Sequence, residues 1–190
     1  MALPRAAAAV ALRVEAPAWR RALPGAAGLA RRAAVAALRA GAALKAGESR
    51  PSLRPPGGVC LVLADDDLQR RLNHEYRGRD KSTNVLSFDG APAALGDVVL
   101  ALETIAAEAE AQGKPLAEHV AHLVVHGVLH LLGYDHETQG QARSMERLEI
   151  EILAGLGIGD PYHLPPARMK ARPKPSAQRK APPARKSPRR

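Results

Sequence analysis

The sequence predicts a single domain of the α/β or α+β class, and three observations support this prediction. The chain has 190 residues, and 46% of them are hydrophobic, which suits one core plus some unstructured sequence. Short apolar runs alternate with longer stretches of helical periodicity. This mixture continues over roughly 150 residues without an internal repeat.

Four short segments are predicted to be strands because they are apolar or alternate in polarity. They are 11–15, 59–63, 84–88 and 97–100, and turn-prone residues separate the last two. The second strand contains Cys60, the single cysteine, which we expect to be buried in the core. One cysteine excludes a disulfide framework within the chain and fits a reducing compartment.

Five segments are predicted to be helices: 29–44, 65–76, 103–112, 115–132 and 138–156. Either Asp65 or Asp66 suits the N-cap of the second helix. The triplet Asp65–Asp67 could also suggest a magnesium site, but helix capping is the favoured interpretation. Pro115 suits the first turn of the long fourth helix, and Gly133 suits its end.

The positive charge of the chain is concentrated in a C-terminal tail. Residues 164–190 contain ten Lys or Arg and no acid, so the preceding residues are near −1 although the whole chain carries +9. Because the tail is rich in Pro and Ala and has little to bury, we expect it to be disordered. Such a polycation favours RNA through counterion release. The alternative is a solubilising extension.

Membrane insertion and secretion are not expected. No apolar run approaches the roughly 20 residues that span a bilayer. The N-terminal run Ala6–Leu12 is short for a secretory signal, and the charged Arg13 and Glu15 follow it. We therefore expect a cytoplasmic protein.

Three histidines near the end of the long helix predict a site for one divalent metal ion. His126 and His130 are four residues apart, so their side chains project from one face of a helix about 6 Å apart. The chain can turn at Gly133, and His136 can then return as a third ligand. Three protein ligands with an open fourth position are typical of catalytic zinc.

Two earlier histidines on the same face compete for this role. His122 and His126 are also four apart, but His122 and His130 lie about 12 Å apart along the helix and cannot share one ion. The later pair is favoured because only it has His136 within reach. We expect His122 to contact the ligands or line the pocket, and His119 to lie at the surface.

The residue after the first ligand argues against peptidase chemistry. Zinc peptidases of the H-E-x-x-H type use the glutamate as general base, whereas Gly127 stands at that position. A metal can still generate a nucleophile at neutral pH, so other hydrolytic reactions stay open.

Four segments of the chain carry a family resemblance. They are Asn73–Phe88, Leu95–Leu100, His126–His136 and Asp160–Tyr162, and residues 145–151 also fit the family's final helix. In this order they resemble the YbeY-type endoribonucleases, also called rRNA maturation factors. The resemblance covers about residues 11–162. It leaves an N-terminal extension, 1–10, and the basic tail, 163–190, outside the domain.

The resemblance implies a compact α+β domain in which a small mixed sheet packs against helices. It implies a zinc ion at the end of the long helix, bound by His126, His130 and His136. It further implies cleavage of single-stranded rRNA, in 3′-end maturation and ribosome quality control, with the ribosome or its subunits as partner. By the same resemblance, the functionally important arginine is Arg77.

Several polar residues have two interpretations at this stage. Arg77 could hold the scissile phosphate while zinc activates water or polarises the phosphate; alternatively it pairs with Asp80. Asp135 could orient a zinc-bound histidine or cap the last helix. Arg79 and Lys81 could extend an RNA-binding rim or simply be solvated.

The predicted function is therefore a zinc-dependent, single-strand-specific endoribonuclease. One alternative is a non-enzymatic ribosome-assembly factor whose zinc is structural and whose tail supplies RNA affinity. Another is hydrolysis of a peptide or small ester at a reused zinc site, which Gly127 disfavours.

Overall fold

The structure, a computed structural model, describes residues 9–47, 57–91 and 94–163. These residues form one α+β domain, as predicted. Its strands are β1 (Val10–Val14), β2 (Gly58–Ala64), β3 (Val85–Asp89) and β4 (Ala94–Ala101). Its helices are α1 (Trp19–Ala22), α2 (Ala26–Gly47), α3 (Asp66–Arg77), α4 (Leu102–Ala111), α5 (Leu116–Leu131) and α6 (Gln139–Ala154).

The four strands form one mixed sheet in the order β1-β2-β4-β3. β1, β2 and β4 are parallel, and β3 pairs antiparallel with β4 at the edge. The central strands are nearly continuous apolar runs because helices cover both faces of the sheet. α2, α4, α5 and α6 contribute to the main core on one face, and α3 packs on the other.

Helix α3 begins where the sequence predicts, and its first residues are used for capping. The Asp65 carboxylate accepts a hydrogen bond from the Leu68 amide at 2.8 Å. The Asp66 carboxylate accepts from the Thr104 hydroxyl at 2.8 Å, which joins α3 to the first turn of α4. Helix capping therefore explains Asp65, and the hydrogen bond to Thr104 explains Asp66.

Two features of the core differ from the sequence-based expectation. Cys60 is half-buried rather than part of the core, because alternate residues of β2 face opposite sides of the sheet and Val59 and Leu61 face the main core. The short helix α1 was not predicted. It carries Trp19, which is fully buried and donates its indole N–H to the Ala64 carbonyl at 2.8 Å.

Gly127 lies where α5 crosses the sheet. A Cβ atom at this position would lie 2.7 Å from Val98 Cγ1 and 3.1 Å from Ser87 Oγ. The Ser87 hydroxyl also donates to the Gly127 carbonyl at 3.1 Å. The close approach leaves no room for a side chain, so the glutamate of a zinc peptidase could not be accommodated here.

Gly127→Ala is accordingly expected to destabilise the domain by about 1–3 kcal/mol through overpacking. Gly140→Ala is the matched control, because a Cβ there meets nothing within 4 Å and alanine favours a helix by about 0.5–1 kcal/mol. Urea denaturation of both variants measures the two effects. Equal stabilities would contradict the close packing of α5 on the sheet.

Some predictions fall outside the described residues. These are the disorder of the basic tail and almost all of the N-terminal extension. Within the described part of the chain, none of the helices combines the length and apolarity needed to cross a membrane.

Candidate metal site

The candidate site is built at the C-terminal end of α5. The helix begins after Pro115 and ends at Leu131, and Gly133 follows with φ of 80°, a left-handed conformation that favours glycine. The turn brings the chain back so that the Tyr134 carbonyl accepts a hydrogen bond from His130 Nδ1 at 3.0 Å. The reversal thus both ends the helix and orients a predicted ligand.

The structure brings the three predicted ligands together. One nitrogen from each of His126, His130 and His136 lies within 4.8 Å of the others. The Nε2 atoms of His126 and His130 are 3.0 Å apart, near the roughly 3.3 Å expected for two imidazoles on one tetrahedral zinc with bonds of about 2.05 Å. The three-histidine group could therefore hold one metal ion.

A buried carboxylate orients the first of these histidines. Glu149 of α6 is 0% exposed, and its Oε1 accepts from His126 Nδ1 at 2.8 Å. It also binds His122 Nε2 at 3.1 Å and the Tyr162 hydroxyl. Burial raises the pKa of Glu149, but the hydrogen bonds from His122, His126 and Tyr162 outweigh it and lower that pKa to about 2.

These contacts determine which ring nitrogens face each other. The partners of Nδ1 are a carboxylate for His126 and a backbone carbonyl for His130, and both can only accept. When both rings are neutral, each Nδ1 therefore carries the proton and each Nε2 presents a lone pair. Two lone pairs at 3.0 Å repel each other unless a cation lies between them. This is the arrangement that a metal ion stabilises.

His130 is also kept in the form that binds metal. Burial lowers its pKa, and the neighbouring His126 and His136 lower it further. A neutral imidazole at neutral pH needs no deprotonation before it coordinates. His136 is exposed, so the third predicted ligand lies where solvent reaches the site.

The other two histidines of α5 differ in their environments. His122 binds Glu149, the carboxylate that also binds His126, and it lines a cavity together with His126. The expectation that His119 lies at the surface is wrong: it is 5% exposed, and its Nε2 contacts Glu108 Oε2 at 2.9 Å. It is buried because α4 packs alongside α5 and supplies this carboxylate.

Asp135 does not cap the last helix, and it contacts a predicted ligand through the backbone. Its carboxylate accepts from the backbone N–H of His136 at 2.7 Å, so it holds the main chain of a predicted ligand rather than an imidazole ring. The cap of α6 is Thr138, which forms a reciprocal capping box with Gln141.

Arg77 is the last residue of α3 and is exposed. The alternative pairing with Asp80 is not formed, because Asp80 pairs with Arg70 at 3.2 Å. Arg77 has no ion-pair partner within the described segments. Its neighbour Tyr76 packs on Phe88 of edge strand β3, with ring centroids 5.0 Å apart. Arg77 therefore lies on the α3 side of the sheet and does not contact the histidine cluster. Arg79 and Lys81 follow Arg77 in the chain, and both are exposed.

Sequence reasoning missed Glu149 and Tyr162 as site residues. A signal for the first was present: Glu149 lies between Met145 and Ile152 on the apolar face of α6, where a carboxylate is retained only if it is paired.

The fold and site together define a class of protein: an α+β domain with three convergent histidines that could hold one metal ion. Residues 37–157 match the family Endoribonuclease YbeY, and the chain belongs to that family.

The alignments with similar proteins extend over most of the chain. A Paramagnetospirillum magneticum protein named Endoribonuclease YbeY is 48% identical over 167 residues, which are 80% of this chain and 94% of that protein. A Rhodospirillum rubrum protein of the same name is 48% identical over 157 residues, or 76% of each chain. The solution structure of TM1509 from Thermotoga maritima covers 81% of this chain and 99% of its own, with a TM-score of 0.48 and 18% identity.

Proposed function

We propose that this protein is a zinc-dependent endoribonuclease that cuts single-stranded RNA. Relatives with 48% identity carry the name endoribonuclease. The observation that carries the metal part of the proposal is the pair of Nε2 lone pairs that face each other at 3.0 Å. Neutral imidazoles with their Nδ1 atoms fixed are typical zinc ligands.

The residues divide into those that hold the ion and those that orient them. His126, His130 and His136 would bind zinc through three nitrogens, which leaves a fourth position open for substrate. His136 is exposed, so this position can be reached from solvent. Glu149 and the Tyr134 carbonyl hold the rings of His126 and His130. Bound at such a site, zinc supplies Lewis-acid chemistry toward a phosphoryl oxygen or an attacking oxygen.

The proposed substrate is precursor rRNA, in 3′-end maturation and ribosome quality control, and the proposed location is the cytoplasm. The test compares metal-free and zinc-reloaded protein on unstructured and duplexed rRNA fragments. We expect cleavage of the unstructured fragment by the reloaded protein alone. If the reloaded protein binds these fragments without cutting either, the alternative of a ribosome-assembly factor with structural zinc is favoured instead.

Arg77 is proposed to hold the RNA phosphate. Its guanidinium is exposed and has no ion-pair partner among the residues that the structure describes, so it is free to bind phosphate oxygens bidentately. Arg77→Ala is expected to lower kcat/KM by about tenfold, mainly through a higher KM, because one charged hydrogen-bond partner of the RNA phosphate is lost. Zinc content should stay unchanged. Arg71→Ala is the control, because Arg71 is on the same helix and is also exposed. An equal loss of kcat/KM in both variants would contradict the role proposed for Arg77.

The basic tail is proposed to add RNA affinity. Deletion of residues 164–190 removes ten positive charges and no negative ones, so RNA binding should weaken and become less dependent on salt. The slope of log Kd against log salt measures this effect for the full and shortened chains. An unchanged slope would mean that the tail does not contact RNA.

A further inference from the structure

A cavity of about 400 Å³ lies directly beside the candidate metal site. His126, a proposed zinc ligand, forms part of its wall. The other lining residues come from the start of β3, from α4 and α5, and from the segment after α6; they include Asn84, Glu108, Lys114, His122 and Tyr162. RNA that is held at the metal would thus place a neighbouring nucleotide at the mouth of this cavity.

Glu108 presents a fixed hydrogen-bond acceptor in this cavity. Asn84 Nδ2 donates to its Oε2 at 2.9 Å and to its Oε1 at 3.2 Å. His119 Nε2 contacts Oε2 at 2.9 Å from the buried side. A carboxylate has about four lone-pair positions, so Oε1 keeps one for a ligand, and the side chain is 34% exposed. The acceptor is oriented before any ligand arrives.

The remaining walls suit a flat ring. Val85 and Leu123 are apolar, and the rings of His122 and Tyr162 meet edge to face with centroids 5.4 Å apart. Stacking and apolar contact favour any nucleobase without regard to sequence. Lys114, whose ammonium donates to the Pro161 carbonyl, lies in the same wall and offsets the negative charge of Glu108. Glu108 is the one carboxylate among the described residues that line this cavity, so discrimination against a base carbonyl would rest on it.

We propose that this cavity binds the base next to the scissile phosphate, and that Glu108 selects bases with an exocyclic amino group. A carboxylate accepts from the N4 amine of cytosine. Uracil has a carbonyl oxygen at the same position, which would face the Glu108 oxygen and repel it. The protein should thus favour cytosine over uracil, two bases of nearly equal size. This inference rests on the proposed function, because the ligand is taken to be RNA.

The test compares oligocytidine and oligouridine of equal length on the zinc-loaded full chain. Fluorescence anisotropy at constant salt gives Kd, and cleavage of a mixed-sequence single strand gives relative kcat/KM at C and U sites. We expect a preference of about tenfold for cytosine in both measurements, the value of one hydrogen bond to a charged group. Each ratio is taken on one protein sample, so it is independent of the folded fraction.

Glu108→Gln should reduce the cytosine preference to within about threefold or reverse it. The glutamine oxygen would still accept from Asn84 and His119, which turns its amide N–H₂ toward the ligand and suits the uracil carbonyl. Glu110→Gln is the matched control: it removes the same charge from the same helix, at an exposed position. It should keep the tenfold ratio.

Two outcomes would overturn the proposal. One is equal affinity and equal cleavage of cytosine and uracil sites by the parent protein. The other is a cytosine preference that survives in Glu108→Gln or is lost equally in Glu110→Gln. Failure of the proposed function looks different, because the zinc-loaded protein would then cut neither oligonucleotide. The base preference in Kd can still be measured in that case.

Discussion

His130→Ala is expected to abolish both zinc binding and RNA cleavage. The substitution removes one of the two Nε2 atoms that face each other at 3.0 Å and leaves two nitrogens, fewer than the three ligands of a catalytic zinc site. Bound zinc should fall from one ion per chain to a small fraction. Because the proposed chemistry depends on the ion, kcat/KM should fall by about 10³-fold or more.

Metal analysis after gel filtration and cleavage of an unstructured rRNA fragment measure these two losses. His74→Ala is the control, since His74 is an exposed histidine of α3 and lies outside the cluster. It should retain zinc and activity. If His130→Ala cleaves as well as its parent, the observed nuclease is a contaminant. If it keeps a full zinc ion, the ligand set itself is wrong.

The local geometry of this site could be predicted from the sequence because it depends on one helix and its end. The spacing of His126 and His130 places them on one face, and Gly133 provides the turn that returns His136. Similar local signals predicted α3 from Asp65 and the start of α6 at Thr138. Each of these features is determined by residues within about three helical turns of one another.

The partners of the histidines could not be predicted in the same way, because they come from other elements. Glu149 reaches His126 from α6, and Glu108 reaches His119 from α4. Helical periodicity says which face of α5 is apolar, but it does not say which helix covers that face. His119 was therefore expected at the surface although it is buried.

The structural role of Gly127 depends on tertiary packing, which the sequence alone does not reveal. In the sequence, Gly127 stands at the position where a zinc peptidase has its glutamate general base. In the structure it is the point where α5 approaches Val98 and Ser87 of the sheet. That packing brings α5 close to the edge strand β3, so the same glycine argues against peptidase chemistry and helps to position the site.

Glu149→Gln should weaken zinc binding by about 10- to 100-fold, the usual effect of losing the carboxylate that orients a metal-bound histidine. A glutamine amide has one accepting oxygen, so it cannot accept from His122, His126 and Tyr162 together as the carboxylate does. At least one of these three donors then lacks its partner inside the protein, and the domain should lose about 1–3 kcal/mol of stability. Competition with a chromogenic chelator gives the zinc affinity. Glu151→Gln, exposed on the same helix, should change neither quantity.

The same carboxylate predicts how the stability of the metal-free protein depends on pH. Its pKa is about 2 in the folded protein against an ordinary value of 4.5, so ionised Glu149 favours the folded state. This contribution, about 3 kcal/mol, is fully present above pH 4.5 and is lost as the pH falls toward 2. The free energy of unfolding should therefore decline more steeply across this interval in the parent than in Glu149→Gln. Parallel declines, measured by urea denaturation at each pH, would show that Glu149 is not the ionised acceptor that holds His126 in place.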